Sequence, residues 1–124
     1  MRKLHSTLYK WSALLKQKGL YFEIKSHITD KYFIKIMSER DRAIGKTYTL
    51  MKLSKKYNIP VLEPNESAKY TLRKQYKESI VISPIDLRGT KYQTILIDER
   101  QLLSEDVINC LSNNGTKLVG IMTF

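Results

Sequence analysis

A chain of 124 residues fits one domain and can bury a core without disulfides. Hydrophobic residues make up 42%, which excludes global disorder, and the single cysteine, Cys110, excludes an internal disulfide or a cysteine-based zinc site. Twenty-two Lys and Arg against twelve Asp and Glu leave a formal charge of +10, which suits polyanions such as nucleic acid, an anionic membrane surface, or simply a solvated basic exterior.

Residues 4–18 read as a helix. Leu4, Leu8, Trp11, Leu14 and Leu15 recur at helical spacing, and Gly19 is the expected stop. Trp11 is expected to pack against its own domain. Two alternating segments follow, Tyr21-Phe22-Glu23-Ile24-Lys25 and Tyr32-Phe33-Ile34-Lys35-Ile36, each read as a strand, with their mutual pairing open. A polar stretch from Ser38 to Gly45 opens a helix over 47–57, ended by Asn58 and Pro60. Ile59 to Leu62 reads as a short strand. Asn65 or Ser67 caps a helix reaching about Tyr76. Ile80-Val81-Ile82 and Thr94-Ile95-Leu96-Ile97 read as buried strands, with a loop over 84–92 between them. Ser104 caps a helix through Leu111, stopped at Asn114-Gly115, and Leu118 to Met122 is the last strand. Apolar strands alternating with helices predict an α/β fold with a mostly parallel sheet sandwiched by helices. The organisation expected is a helix-and-strand appendage over 1–30 and one unit over 31–124. Cys110 sits in an apolar stretch and is expected to be a buried structural thiol.

The segment Ser38 to Thr49 carries the most chemistry. It follows an apolar strand and opens a helix, which is the setting a phosphate loop requires. Backbone N–H groups of Arg42, Ala43, Ile44, Gly45, Lys46, Thr47 and Tyr48 would cradle phosphate oxygens, aided by the helix dipole. Lys46 would sit between the outer phosphates, and the Thr47 hydroxyl would reach Mg2+. Arg40 stands where the full pattern has its first glycine. The plainer reading is an ordinary helix start.

Asp98 and Glu99 end an apolar strand. In an open α/β sheet the carboxyl ends of the strands are where ligands bind. Asp98 would hold the metal and Glu99 would act as general base toward water. The plainer reading is a strand leaving the core.

These two motifs, with Arg42-x-x-Gly45-Lys46-Thr47, the segment Ile80 to Gly89 and Asp98-Glu99-Arg100-Gln101, resemble the additional-strand P-loop ATPases, most of all their helicase and viral DNA-packaging branch. The resemblance covers roughly residues 31–124. It implies a RecA-like P-loop core that takes ATP and Mg2+, with Lys46 and Glu99 catalytic. It also implies a small polar residue after the last strand, here Thr123, that couples hydrolysis to nucleic acid, DNA being favoured. Such sites are completed by an arginine from a second lobe, a protein partner or a second copy. Arg40, Arg42, Arg88 and Arg100 are the candidates within this chain. A small, lysine-rich chain of this kind suits a phage-encoded accessory protein.

Lysines interleave with tyrosines at Tyr9-Lys10, Tyr57, Tyr70, Tyr76-Lys77 and Lys91-Tyr92, a pattern that suits single-stranded nucleic acid and equally suits core packing with a solvated rim. His5 and His27 lack metal-ligand spacing. The N-terminus has no signal-peptide apolar core, and no apolar run is long enough to cross a bilayer. The expected setting is therefore the cytoplasm, with no membrane partner. Two further readings stand beside the ATPase. One is a non-catalytic chain of the same fold that binds or inhibits a larger nucleic-acid-processing complex. The other is a small nucleotide kinase, disfavoured because no arginine-rich lid is evident.

Overall fold

The computed structural model describes residues 2–38 and 45–124, with side chains from Leu14 onward. Helix α1 runs over Arg2–Ser26 and is followed by strand β1, Tyr32–Met37. Then come α2 (Lys46–Tyr57), β2 (Val61–Leu62), α3 (Glu66–Gln75), β3 (Val81–Ile82), β4 (Thr94–Ile97), α4 (Glu105–Asn113) and β5 (Lys117–Thr123). Short 3-10 turns occupy Pro84–Leu87 and Arg100–Leu102.

The five strands form one sheet in the order β1-β5-β4-β2-β3, and every pairing is parallel. This is the α/β architecture that alternating apolar runs and helices call for. Strand β5, last in the chain, is inserted between β1 and β4. Because all strands point the same way, residues 38, 63, 83 and 98 emerge along one edge of the sheet.

Strand residues alternate between two cores, as the pleat requires. On one face Val61, Val81, Leu96, Val119 and Ile121 meet Leu20 and Ile24 of α1 and Leu50, Met51 and Leu53 of α2; Leu72 of α3 packs at the margin. On the other face Leu62, Ile82, Ile95, Ile97 and Leu118 meet Ile108 and Leu111 of α4. The helix caps are local. Asn65 Oδ1 accepts the Ala68 N–H at 2.8 Å, and Ser104 Oγ accepts that of Val107 at 3.3 Å.

Three sequence expectations are corrected. The segment Tyr21–Lys25 is not a strand but the end of α1, and Gly19 lies inside that helix rather than stopping it. Leu20 and Ile24 are buried one helical turn apart, a spacing that an alternating pattern this short also contains. The pairing left open between the two segments does not arise, and β1 pairs with β5. Cys110 is exposed: Ile108 and Leu111 carry the buried stripe of α4, and Cys110 falls on the outward side. The expected loop over 84–92 begins with the 3-10 turn at Pro84–Leu87, closed by a capping box between Ser83 and Asp86. The packing of Trp11 lies outside the described side chains.

Gly120 lies opposite Ile97 in the β4–β5 ladder, one residue before the acidic pair. A β-carbon at Gly120 would collide with the Ile97 backbone on a neighbouring, hydrogen-bonded strand, which cannot yield as a flexible side chain can. Gly120→Ala is therefore expected to destabilise the fold by about 1–3 kcal/mol, read as a lower urea midpoint. An unchanged midpoint would show that the two strands tolerate separation here.

Candidate functional site

The parallel register delivers the chemistry to one place. A cleft of ≈ 510 Å³ opens at the carboxyl edge of the sheet, against the start of α2. Gly45, Lys46, Thr47 and Tyr48 form one wall, Asp98, Glu99 and Gln101 the other, and Thr123 joins them from the end of β5. Of the expected loop residues, Arg42, Ala43 and Ile44 lie outside the described residues, as do Arg40 and Asp41.

Gly45 is the N-cap of α2 in the left-handed conformation, φ 75° and ψ 49°. Only glycine adopts this without a penalty of roughly 1–2 kcal/mol. The end of the α1 side chain Gln17 lies where a β-carbon on residue 45 would stand, so any side chain here would have to displace it. Among the described residues no side chain caps this helix start, and the first N–H groups of an α-helix carry the positive end of its dipole.

Lys46 is 8% exposed. Its ammonium donates to the Ser38 carbonyl at 3.2 Å and to Thr123 Oγ1 at 3.3 Å, so β1 and β5 both aim it. Thr47 Oγ1 donates to the Asp98 carboxylate, 3.0 Å from Oδ2 and 3.2 Å from Oδ1. This contact joins positions 51 residues apart. Glu99 is half-buried and lines the same cleft. Gln101 is fixed by accepting the Thr123 N–H at 2.9 Å. Among the described residues no arginine lines the cleft. Arg88 is exposed elsewhere, and the Arg100 guanidinium donates to Glu105 at 2.9 Å.

Sequence reasoning missed Glu63. It follows β2, and its N–H donates to the Ile82 carbonyl at 2.8 Å, which places it beside the end of β4. It is 2% exposed and its Oε1 has no hydrogen-bond partner. Burial, and then the negative charge and hydrogen bond of Asp98, push its carboxyl up to about 9. Burial likewise raises Asp98, against the opposing pull of hydrogen bonds from Glu63 and Thr47 and the charge of Lys46. The two acids thus compete for a proton, which Glu63 keeps at neutral pH and donates toward Asp98. The signal was there in Val61-Leu62-Glu63, an apolar strand ending in an acid like the one at Asp98, but nothing local shows that this acid is buried against a strand more than thirty residues away. Tyr76 also borders the cleft from beyond α3, and nothing in the sequence indicated it.

The donor set has a definite character. Among the described residues no group of three or more His, Cys, Asp or Glu side chains is arranged to hold a metal ion. A hydroxyl and one carboxylate, as Thr47 and Asp98 present, fit a divalent cation that keeps water and phosphate oxygens as its other ligands. The lone-pair-rich Oε1 of Glu63, buried without a partner, fits an outer-shell position next to such an ion.

The raised Glu63 carboxyl has a consequence for stability. In the unfolded chain this group titrates near its ordinary value of about 4.3. In the fold it holds its proton to about 9. The folded state therefore binds the extra proton between these values, and stability falls as pH rises through that window. Wild-type urea midpoints in chelator should drop from pH 5.5 to pH 8.5, while Glu63→Gln, neutral throughout, should drop much less. Equal drops in the two proteins would show that Glu63 is not the titrating group.

No helix among the described residues is long and apolar enough to cross a membrane. No family model matches the chain, and neither a curated protein nor a solved structure matches it.

Proposed function

We propose that this chain binds a nucleoside triphosphate with Mg2+ in the cleft at the start of α2, as a P-loop ATPase core of the additional-strand kind working with nucleic acid. The observation that carries the reading is the Thr47–Asp98 contact. A phosphate loop requires its hydroxyl and the strand-end carboxylate to converge on one cation, and here they converge although the sequence separates them widely. The topology supports the same reading, since β5 is the strand added between the one leading to the loop and the one ending in the acidic pair.

Each residue then has a task. The N–H groups at Gly45 to Tyr48 take phosphate oxygens. Lys46 exchanges the Ser38 carbonyl and the Thr123 hydroxyl, two neutral acceptors, for the outer phosphates, which are stronger partners. Thr47 and Asp98 hold the metal, which when bound screens the charge gathering on the transferred phosphoryl group. Glu99, at the rim of the cleft, takes a proton from the attacking water. Thr123 loses its lysine contact as Lys46 turns to phosphate, so the end of β5 senses occupancy. The +10 charge and the DNA-directed branch of the resemblance support nucleic acid as the partner. Among the described residues no arginine reaches the cleft, so the arginine that rapid turnover calls for comes from Arg40 or Arg42, from a protein partner or from a second copy.

Calorimetric titration with Mg2+ and a non-hydrolysable ATP analogue tests the binding step. Wild type should bind, and Lys46→Ala should weaken binding roughly 100-fold. Glu99→Gln should bind as wild type and lower DNA-stimulated hydrolysis by about 100-fold or more. Wild type that shows no heat, or Lys46→Ala that binds normally, would overturn the reading.

A further inference from the structure

The basic-aromatic pairs seen in the sequence leave a question that the phosphate cleft does not answer: whether any of them meet in space. Two do, at the edge of the sheet opposite the cleft, where the strands begin. The end of α2, the lead-in to β4 and the first residue of β5 enclose a groove of ≈ 470 Å³. Tyr57, Asn58, Lys91, Tyr92, Gln93 and Lys117 line it.

The groove is built rather than incidental. The Lys117 N–H donates to the Gln93 carbonyl at 2.9 Å, and Thr116 Oγ1 donates to the Tyr92 carbonyl at 2.7 Å. Tyr92 rests against the core under α4, and the Asn58 N–H turns back to close the end of α2. The Leu118 N–H donates to the Lys31 carbonyl at 3.0 Å, bringing Lys31 beside Lys117, and Lys56 stands 5.6 Å from the centre of the Tyr57 ring. Tyr57 itself is 37% exposed.

Charge sets this groove apart from the phosphate cleft. No carboxylate lines it, whereas Asp98 and Glu99 line the cleft. Among the described residues Lys31, Lys56, Lys91 and Lys117 enter no ion pair, and the nearest acid in the turn before β1, Asp30, is engaged by His27 at 2.6 Å. On the two helices the pairing is mixed, since Lys52 and Lys74 enter no ion pair among the described residues while two other lysines do. Lys55 is paired with Glu78, and Lys69 with both Glu66 and Asp86.

We propose that this groove binds a single strand of nucleic acid, with phosphates met by Lys91, Lys117 and the flanking Lys31 and Lys56, and a base stacked on Tyr57. An exposed ring face is usable only by a base that is not already stacked in a duplex. The amides of Asn58 and Gln93 each offer a donor and an acceptor, which unpaired base edges can engage. The placement rests on the nucleic-acid half of the proposed function and is independent of the nucleotide half. Since the groove and the cleft lie at opposite edges of the sheet, both can be filled at once.

The test is fluorescence anisotropy with a labelled oligothymidylate between about 50 and 200 mM salt. It compares wild type with Tyr57→Ala, the double charge reversal Lys91→Glu/Lys117→Glu, Lys46→Ala, and Lys74→Glu/Lys77→Glu beside α3, each shown by circular dichroism to be folded. Wild type should bind more weakly as salt rises. Tyr57→Ala and the groove reversal should each weaken binding ~10-fold or more, the reversal also flattening the salt dependence. Lys46→Ala should bind as wild type, and the α3 reversal should fall well short of the groove reversal. Tighter binding of a duplex of equal length, absence of wild-type binding, or loss in the α3 reversal alone would overturn the proposal. Oligonucleotide binding through the groove in a protein that takes no nucleotide would sink the ATPase reading and leave this one standing.

Discussion

A carboxylate that is 94% removed from solvent, as Asp98 is at 6% exposure, must find compensation or give up its charge, and much of the cleft follows from that constraint. Thr47 supplies a hydroxyl, Lys46 a nearby positive charge, and Glu63 a hydrogen bond carried by its own retained proton. Two of these partners stand in the first turn of α2 and the third follows β2, so the need to satisfy one buried acid ties the start of α2 to the ends of β2 and β4. Burial also explains why such an arrangement suits a cation. Under the proposed reading, an ion entering between Thr47 and Asp98 would add its positive charge to that compensation.

The sheet makes that convergence possible. Only parallel strands bring several carboxyl ends to one edge, and only the insertion of β5 between β1 and β4 sets Thr123 beside Lys46. Gly120 is the local condition for that insertion. Without a side chain it lets β5 close on the Ile97 backbone at the level where β4 releases the acidic pair. Helix α1 contributes to the same region from the other direction. Leu20 and Ile24 enter the core beneath α2, which places Gln17 over Gly45.

The two ends of the sheet thereby acquire opposite characters. At the carboxyl edge, Asp98 and Glu99 face the start of α2 across the cleft. At the amino edge, lysines without acidic partners surround tyrosines. An overall charge of +10 does not reveal this division, because it says nothing about which lysines are neutralised by neighbours and which are left to attract a polyanion.

The sequence by itself determined the elements whose signals are local. Apolar runs marked the strands, Asn65 and Ser104 marked helix starts, and the Gly45-Lys46-Thr47 and Asp98-Glu99 pairs marked two walls of a site. Local signals failed where two periods coincide over a few residues, as at Tyr21–Lys25, which alternates like a strand yet buries Leu20 and Ile24 like a helix. They failed also at Cys110, where an apolar neighbourhood in sequence turned outward once α4 chose its buried stripe. Tertiary structure alone decided which distant residues became neighbours: Glu63 against Asp98, Thr123 against Lys46, and Tyr57 near Lys91 and Lys117. The reason is physical. A helix start or a strand is specified by residues within a few positions of one another, whereas strand order and register bring together side chains whose separation along the chain carries no record of the contact.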